Sequence, residues 1–274
     1  MPSSPNADAS RPDGAGALDH DAQLAELFDL DVAGVVDDVP FYQALARAAG
    51  GPLLEIGAGS GRVAVPLARA GFDVWGIDTS DAMLARARCK AGDLPNLRLV
   101  RADMRDLHLD EQFALAYAAF GTFHHLRTPG DQLACLQSVA RHLAPGGLFV
   151  CDMRPIWFAD WEEGDSVPLL HDWTRVLPRT GETVMKLRSA RADIERRLQH
   201  ETHVYDCIAA DGALRRVVMT TDLRYTTPSD MDGLLREAGL VLEDRYGDYD
   251  RSQFDDDSEL MITVARKPAG KEAS

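Results

Sequence analysis

Apolar and polar positions along this chain follow two different periods, and the change of period divides it. Near the start, Leu24, Leu27 and Phe28 recur at helical spacing. Residues 40–49 repeat that spacing with Phe41, Tyr42, Leu45, Ala46 and Ala49, until Gly50-Gly51-Pro52 stops it. Short apolar runs then alternate with helical stretches. Residues 53–56 predict a buried strand, followed by a glycine turn and a helix carrying Val63, Val65, Leu67 and Ala68. Residues 72–78, 96–102 and 113–119 predict three further strands. Leu133, Leu136, Ala140 and Leu143 mark a helix that should stop at Pro145-Gly146-Gly147, with a fifth strand over 148–151. Such alternation predicts a mostly parallel, doubly wound sheet.

Past residue 153 the pattern changes. Residues 183–191, 198–208 and 215–225 alternate with period two, and Asp211-Gly212 separates the last two runs. That predicts a hairpin or a small antiparallel sheet. Helical spacing returns with Met231, Leu234, Leu235 and Ala238, ended by Gly239, and two strands are expected over 240–246 and 260–265. Residues 1–19 are rich in Ser, Pro, Asp, Gly and Ala and predict a disordered tail, as residues 267–274 predict a second tail. The expected organisation is a core over 20–153 and 227–266, interrupted by an insertion over 154–226.

The chemistry concentrates where the first predicted strand ends. Glu55 is followed by Gly57, Gly59 and Gly61, and then by Arg62. A strand, a glycine turn and a helix form the floor of a nucleotide-type pocket. A dinucleotide fingerprint places its third glycine five positions after the first, and here that position is Arg62. The second predicted strand ends in Asp78, about twenty residues on, where this geometry sets a carboxylate against a ribose. Two ionised oxygens can take both hydroxyls of a ribose diol.

An acidic residue ahead of G-x-G-x-G, together with Leu143-x-Pro145-Gly146-Gly147-x-Phe149, resembles the class I S-adenosylmethionine-dependent methyltransferases of small-molecule type. The resemblance covers residues 40–153 and resumes near Pro228. It implies a Rossmann-like seven-stranded sheet with an antiparallel last strand, a small β-rich lid, and S-adenosylmethionine as cofactor. Besides Glu55, the three glycines, Arg62 and Asp78, it implies cofactor contacts from Asp103 (adenine amino group), Met104 (an apolar wall) and Phe120 beyond the fourth strand. Tyr42 is expected at the methionine end, or alternatively in the core. Among His124 and His125, the resemblance gives His125 to packing against the sheet, and His124 is the possible general base, with an ordinary pKa near neutrality. Trp157, Phe158 and Trp161 would wall the acceptor, or else form the core of the insertion. Sugar and secondary-metabolite tailoring enzymes are the nearest in look, and the methylated atom is expected to be nitrogen or oxygen.

Charge and composition narrow the partners. A net charge of −15 opposes nucleic acid, and Arg191, Arg196 and Arg197 are interrupted by Asp193 and Glu195. No apolar run reaches the length of a membrane span, and no charged head precedes a hydrophobic core at the N-terminus, so a cytoplasmic location is expected. Four cysteines without a C-x-x-C pair, and histidines without H-E-x-x-H spacing, signal no metal site. The reading is a methyltransferase acting on a small molecule. The alternatives are a protein that binds S-adenosylmethionine without turnover and, third, a nicotinamide-dependent oxidoreductase.

Overall fold

Residues 20–35, 37–155 and 166–269 are described by the structure, a computed structural model. Its main sheet has seven strands. In chain order these are β1 (Leu53–Ile56), β2 (Val74–Asp78), β3 (Leu97–Arg101), β4 (Phe113–Ala118), β5 (Leu143–Met153) and, after an insertion, β10 (Val241–Tyr246) and β11 (Met261–Arg266). They lie in the order β10-β11-β5-β4-β1-β2-β3, with β11 antiparallel to both of its neighbours and the β1–β5 pairings parallel.

Side-chain alternation explains the two-faced packing. Leu53 pairs in register with Leu115 and Leu54 with Ala116, so neighbouring strands present matching sides. One face buries Leu53, Val74, Leu115 and Tyr117 under α2 (Asp38–Ala49) and α3 (Ala64–Arg69). The other buries Leu54, Ile56, Ile77 and Phe113 under α5 (Pro129–His142) and α6 (Pro228–Glu237). The start of α6 is fixed by a capping box, in which the Thr227 hydroxyl accepts from the Asp230 N–H and the Asp230 carboxylate accepts from the Thr227 N–H. A further helix, α4 (Asp81–Ala91), follows β2 and is capped by the Ser80 hydroxyl.

The insertion forms a separate antiparallel sheet, β6 (Ser166–Val176), β7 (Thr183–Asp193), β8 (Leu198–Ile208) and β9 (Leu214–Arg224), in that order. Three of these strands match the period-two runs. Strand β6 carries no clean alternation and did not stand out. Helix α1 (His20–Asp31) packs Leu27 and Leu30 against Leu177, Val184, Tyr205, Cys207 and Val217 of this second sheet. Burying each leucine contributes about 1.5–3 kcal/mol.

The fifth strand begins earlier than its sequence predicts. Helix α5 ends at His142, and the Pro145-Gly146-Gly147 segment is a bulge within β5, where pairing with β4 slips between Phe113 and Leu115. A Cβ on Gly147 would lie 2.9 Å from the carbonyl oxygens of Ala144 and Phe113, so only glycine fits there. Lys267, expected in the tail, is tied to this bulge: its N–H donates to the Gly147 carbonyl at 2.9 Å and its ammonium to that of Leu143. Of the predicted tails, residues 1–19 and the 270–274 part of 267–274 lie outside the described residues.

Candidate functional site

Strands β1 to β5 all end at one edge of the main sheet, where an open α/β sheet forms its crevice. The glycine loop begins there. Gly57, Gly59 and Gly61 all have positive φ, of 66°, 53° and 77°. Gly57 is also required by packing, since a Cβ there would fall 2.4 Å from Thr122 Cγ2. Gly59 differs. The nearest atom to its Cβ position other than the loop's own backbone is a ring carbon of Phe28 on α1, at 3.9 Å. A side chain there would meet Phe28 at ordinary van der Waals distance, so the positive φ rather than crowding calls for glycine.

Asp78, at the end of β2, meets this loop. One carboxylate oxygen accepts from the Gly59 N–H at 2.9 Å and the other from the Ser80 N–H at 2.8 Å. Each oxygen retains a lone pair for a hydroxyl group. Asp103 lies just beyond β3, and Arg105 grips its carboxylate at 2.6–3.1 Å, holding it below the usual carboxylate range. A hydrogen bond to an adenine amino group must share that carboxylate with the guanidinium. Met104 is half-buried against the core cluster around Ile77 and Leu107.

Beneath the loop sits a buried polar cluster. Glu55 is 3% exposed, and burial pushes its carboxyl up to about 8, against the opposing influence of Arg62 and the Ala64 N–H. The Tyr117 hydroxyl donates to it at 3.3 Å. Arg62 forms a two-pronged pair with Asp38 at 2.8 and 2.6 Å, and its guanidinium lies 4.9 Å from the centre of the Phe120 ring. Phe120 has φ of +56°, a costly conformation for a residue with a side chain. Its N–H donates to Asp152 at 2.8 Å, and the Gly121 N–H donates to the Asp152 carbonyl. The Tyr42 hydroxyl also bonds Asp152, and its fully buried ring stands 4.7 Å from that of Tyr117. Burial pushes the Asp152 carboxyl up to about 6, with the Tyr42 hydroxyl and Phe120 N–H opposing the shift and Asp38 adding to it.

The two histidines exchange the environments that their sequence context implies. His124, in a 3-10 turn over Thr122–His125, is 6% exposed. Its Nδ1 lies 2.8 Å from the Arg224 carbonyl of β9 and its Nε2 3.1 Å from the Arg154 carbonyl. Both partners are acceptors, and a neutral ring can donate to only one of them. Burial lowers its pKa, and the two carbonyls oppose that shift. His125 does not pack against the sheet as expected. It is exposed, and the charges that act on it are Asp78 from the loop side and Glu201 from the second sheet. Its pKa too is lowered, by the protein crowded around it, with both carboxylates opposing. Trp157, Phe158 and Trp161 lie outside the described residues. Among the described residues no group of His, Cys, Asp and Glu could hold a metal ion.

Comparison with known proteins follows this geometry. Residues 53–147 match a family described as methyltransferase domain. The chain is 28% identical to the CcbJ methyltransferase from Streptomyces caelestis, with a TM-score of 0.72 over 85% of this chain and 89% of that one. Residues 53–147 thus match a methyltransferase domain, and the chain shares its fold with a solved methyltransferase. A dTDP-3-amino-3,4,6-trideoxy-alpha-D-glucopyranose N,N-dimethyltransferase from Streptomyces venezuelae is 30% identical over 55% of this chain and 65% of its own length. The chain spans less than two thirds of the length of that relative and of other curated relatives it matches. The fold also matches SAM-bound CalS10, an amino pentose methyltransferase from Micromonospora echinaspora, with a TM-score of 0.67, 23% identity, and coverage of 88% and 96%.

Several residues at this edge of the sheet are not picked out by the sequence. Asp152 was legible in principle, because it ends a strand at the edge where the crevice forms. Asp38, Tyr117 and Tyr249 gave no such signal; each reaches the cluster only through tertiary packing.

Proposed function

We propose that this chain transfers the methyl group of S-adenosylmethionine to a nitrogen of a small polar acceptor. The observation that carries the reading is the Asp78 carboxylate at the end of β2, which accepts from the Gly59 N–H of the glycine loop. That arrangement fits a nucleoside: Asp78 would hold the ribose diol, Asp103 and Met104 the adenine, and the Phe120–Asp152–Tyr42–Arg62 group the methionine end. The sulfonium supplies a methyl already bound to a good leaving group. The chain's part is to align the acceptor in line and to exclude water, with the second sheet serving as the lid. An amine acceptor needs no strong base, and the relatives named for amino-sugar methylation support nitrogen as the target. His125, exposed and under the influence of Asp78 and Glu201, would meet the acceptor, while His124 would hold the lid to the core.

The test is methyl transfer from labelled S-adenosylmethionine to a panel of aminohexoses and their hydroxyl counterparts. Transfer to the amino members supports the reading. Tight binding of S-adenosylhomocysteine without transfer to any member would leave a binding protein instead.

A further inference from the structure

The inward face of β8 carries polar groups that the cofactor site does not use. Odd-numbered residues of β8 share one face. Cys207 and Tyr205 show where that face points: Cys207 packs with Leu27 and Leu30 of α1, and the Tyr205 hydroxyl donates to Asp31 at 2.6 Å. At the other end of the strand, Leu198 pairs with Arg224, whose carbonyl meets His124. The stretch from Gln199 to Tyr205 therefore spans roughly 20 Å between two attachments to the rest of the molecule. Its inward side chains are Gln199, Glu201 and His203. Glu201 lies three residues along β8 from Leu198, whose partner Arg224 meets His124 in the 3-10 turn beyond β4, so it sits near the carboxyl edge of the main sheet.

Glu201 and His203 form a buried pair, each 7% exposed, with Oε2 of the carboxylate 3.0 Å from Nε2 of the imidazole. Arg188 and the Gln199 amide hold the other carboxylate oxygen. His203 Nδ1 is buried and has no hydrogen-bond partner. Trp75, Arg245 and Thr263 hold the other such atoms among the described residues, and all three lie on the main sheet. A buried polar atom is normally satisfied. A ring that donates Nε2–H to the carboxylate and carries no second proton has Nδ1 available to accept one hydrogen bond.

We propose that Glu201 and His203 form an acceptor-recognition site in the lid, in which His203 Nδ1 takes a hydrogen bond from a hydroxyl or ammonium group of the acceptor. This rests on the methyltransferase reading and deepens it. The carboxylate behind the ring favours a neutral or cationic donor and disfavours a phosphate. The substrate class is a hydroxylated amine that is gripped at a point away from the transferred methyl.

The experiment compares His203→Phe with His203→Asn. Both lose the bond to Glu201, but asparagine keeps an acceptor oxygen close to the Nδ1 position. Each protein is first titrated with S-adenosylhomocysteine; failure of the wild type to bind it defeats the cofactor reading and is seen separately. With 3-amino-3-deoxyglucose as probe, His203→Phe should lose tenfold or more in kcat/KM, mainly through KM, and His203→Asn should stay within threefold of the wild type. Cofactor affinity should stay within twofold in all three. In 15N-histidine-labelled wild type saturated with S-adenosylhomocysteine, the His203 Nδ1 resonance should move as the probe is added. Equal losses in the two variants, no loss in His203→Phe, or an Nδ1 resonance that stays still would each overturn the proposal.

Discussion

Arg62 and Asp38 form a two-pronged ion pair in which the aspartate is fully buried and the arginine side chain is 13% exposed. Arg62 occupies the position where a dinucleotide fold would carry its third glycine, so the departure from that motif has a physical role. It brings a cation under the Phe120 ring and against the buried acids Glu55 and Asp38. Removing one partner of a buried pair leaves an uncompensated charge. Arg62→Met should lower unfolding free energy by about 3–5 kcal/mol, and the Arg62→Met/Asp38→Leu double variant should recover most of it. Urea unfolding of the three proteins measures this.

Asp78 is predicted to set cofactor affinity. A hydrogen bond to a charged group contributes about 1.5–3 kcal/mol, so Asp78→Ala should weaken S-adenosylhomocysteine binding by about ten- to a hundredfold. Asp78→Asn should do no better. Both carboxylate oxygens already accept from backbone N–H groups, and an amide NH₂ would set a donor against either Gly59 or Ser80. Calorimetric titration decides it, and wild-type affinity in folded Asp78→Ala would remove the ribose contact.

The histidines should separate by measurement. His124→Ala removes a clamp between the 3-10 turn and β9, so thermal stability should fall while kcat changes less than tenfold. His125→Ala should leave stability near wild type and raise the acceptor KM or lower kcat by tenfold or more. A loss of about 10²–10⁴ in kcat for His124→Ala with unchanged stability would instead make it the general base.

Glu55 gives a pH signature. Its folded-state pKa of about 8 exceeds its ordinary 4.5, so the folded protein holds this proton where the unfolded chain has released it. Its stabilising contribution is full below 4.5 and is lost as pH rises through about 8. Glu55→Gln keeps the neutral shape and should flatten the decline in melting temperature between pH 5 and 8.5. An unchanged slope would mean that another group governs it.

The main sheet was legible because buried parallel strands read as apolar runs and glycine marks the turns between them. The position of Asp78 followed from strand-end geometry alone. What could not be read is what depends on partners far along the chain. Nothing near Glu55 announces that Asp38, Arg62 and Tyr117 will close over it, and Arg105 is a neighbour of Asp103 whose grip depends on side-chain direction. His124 and His125 were indistinguishable by period, because a 3-10 turn and a strand place adjacent residues differently.

Helix α1 has a further consequence. Asp29 bonds Ser60 of the glycine loop and pairs with Arg86 and Lys90, while Asp31 receives Trp173, Lys186 and Tyr205 from the second sheet. Two residues apart on a helix means about 200° around its axis, so these aspartates face nearly opposite ways. The helix thus acts as a spacer about 10–12 Å across, tied to α4 and the glycine loop on one side and to the second sheet on the other. A single residue inserted between 29 and 31 would turn one aspartate away from its partners and break one of the two attachments.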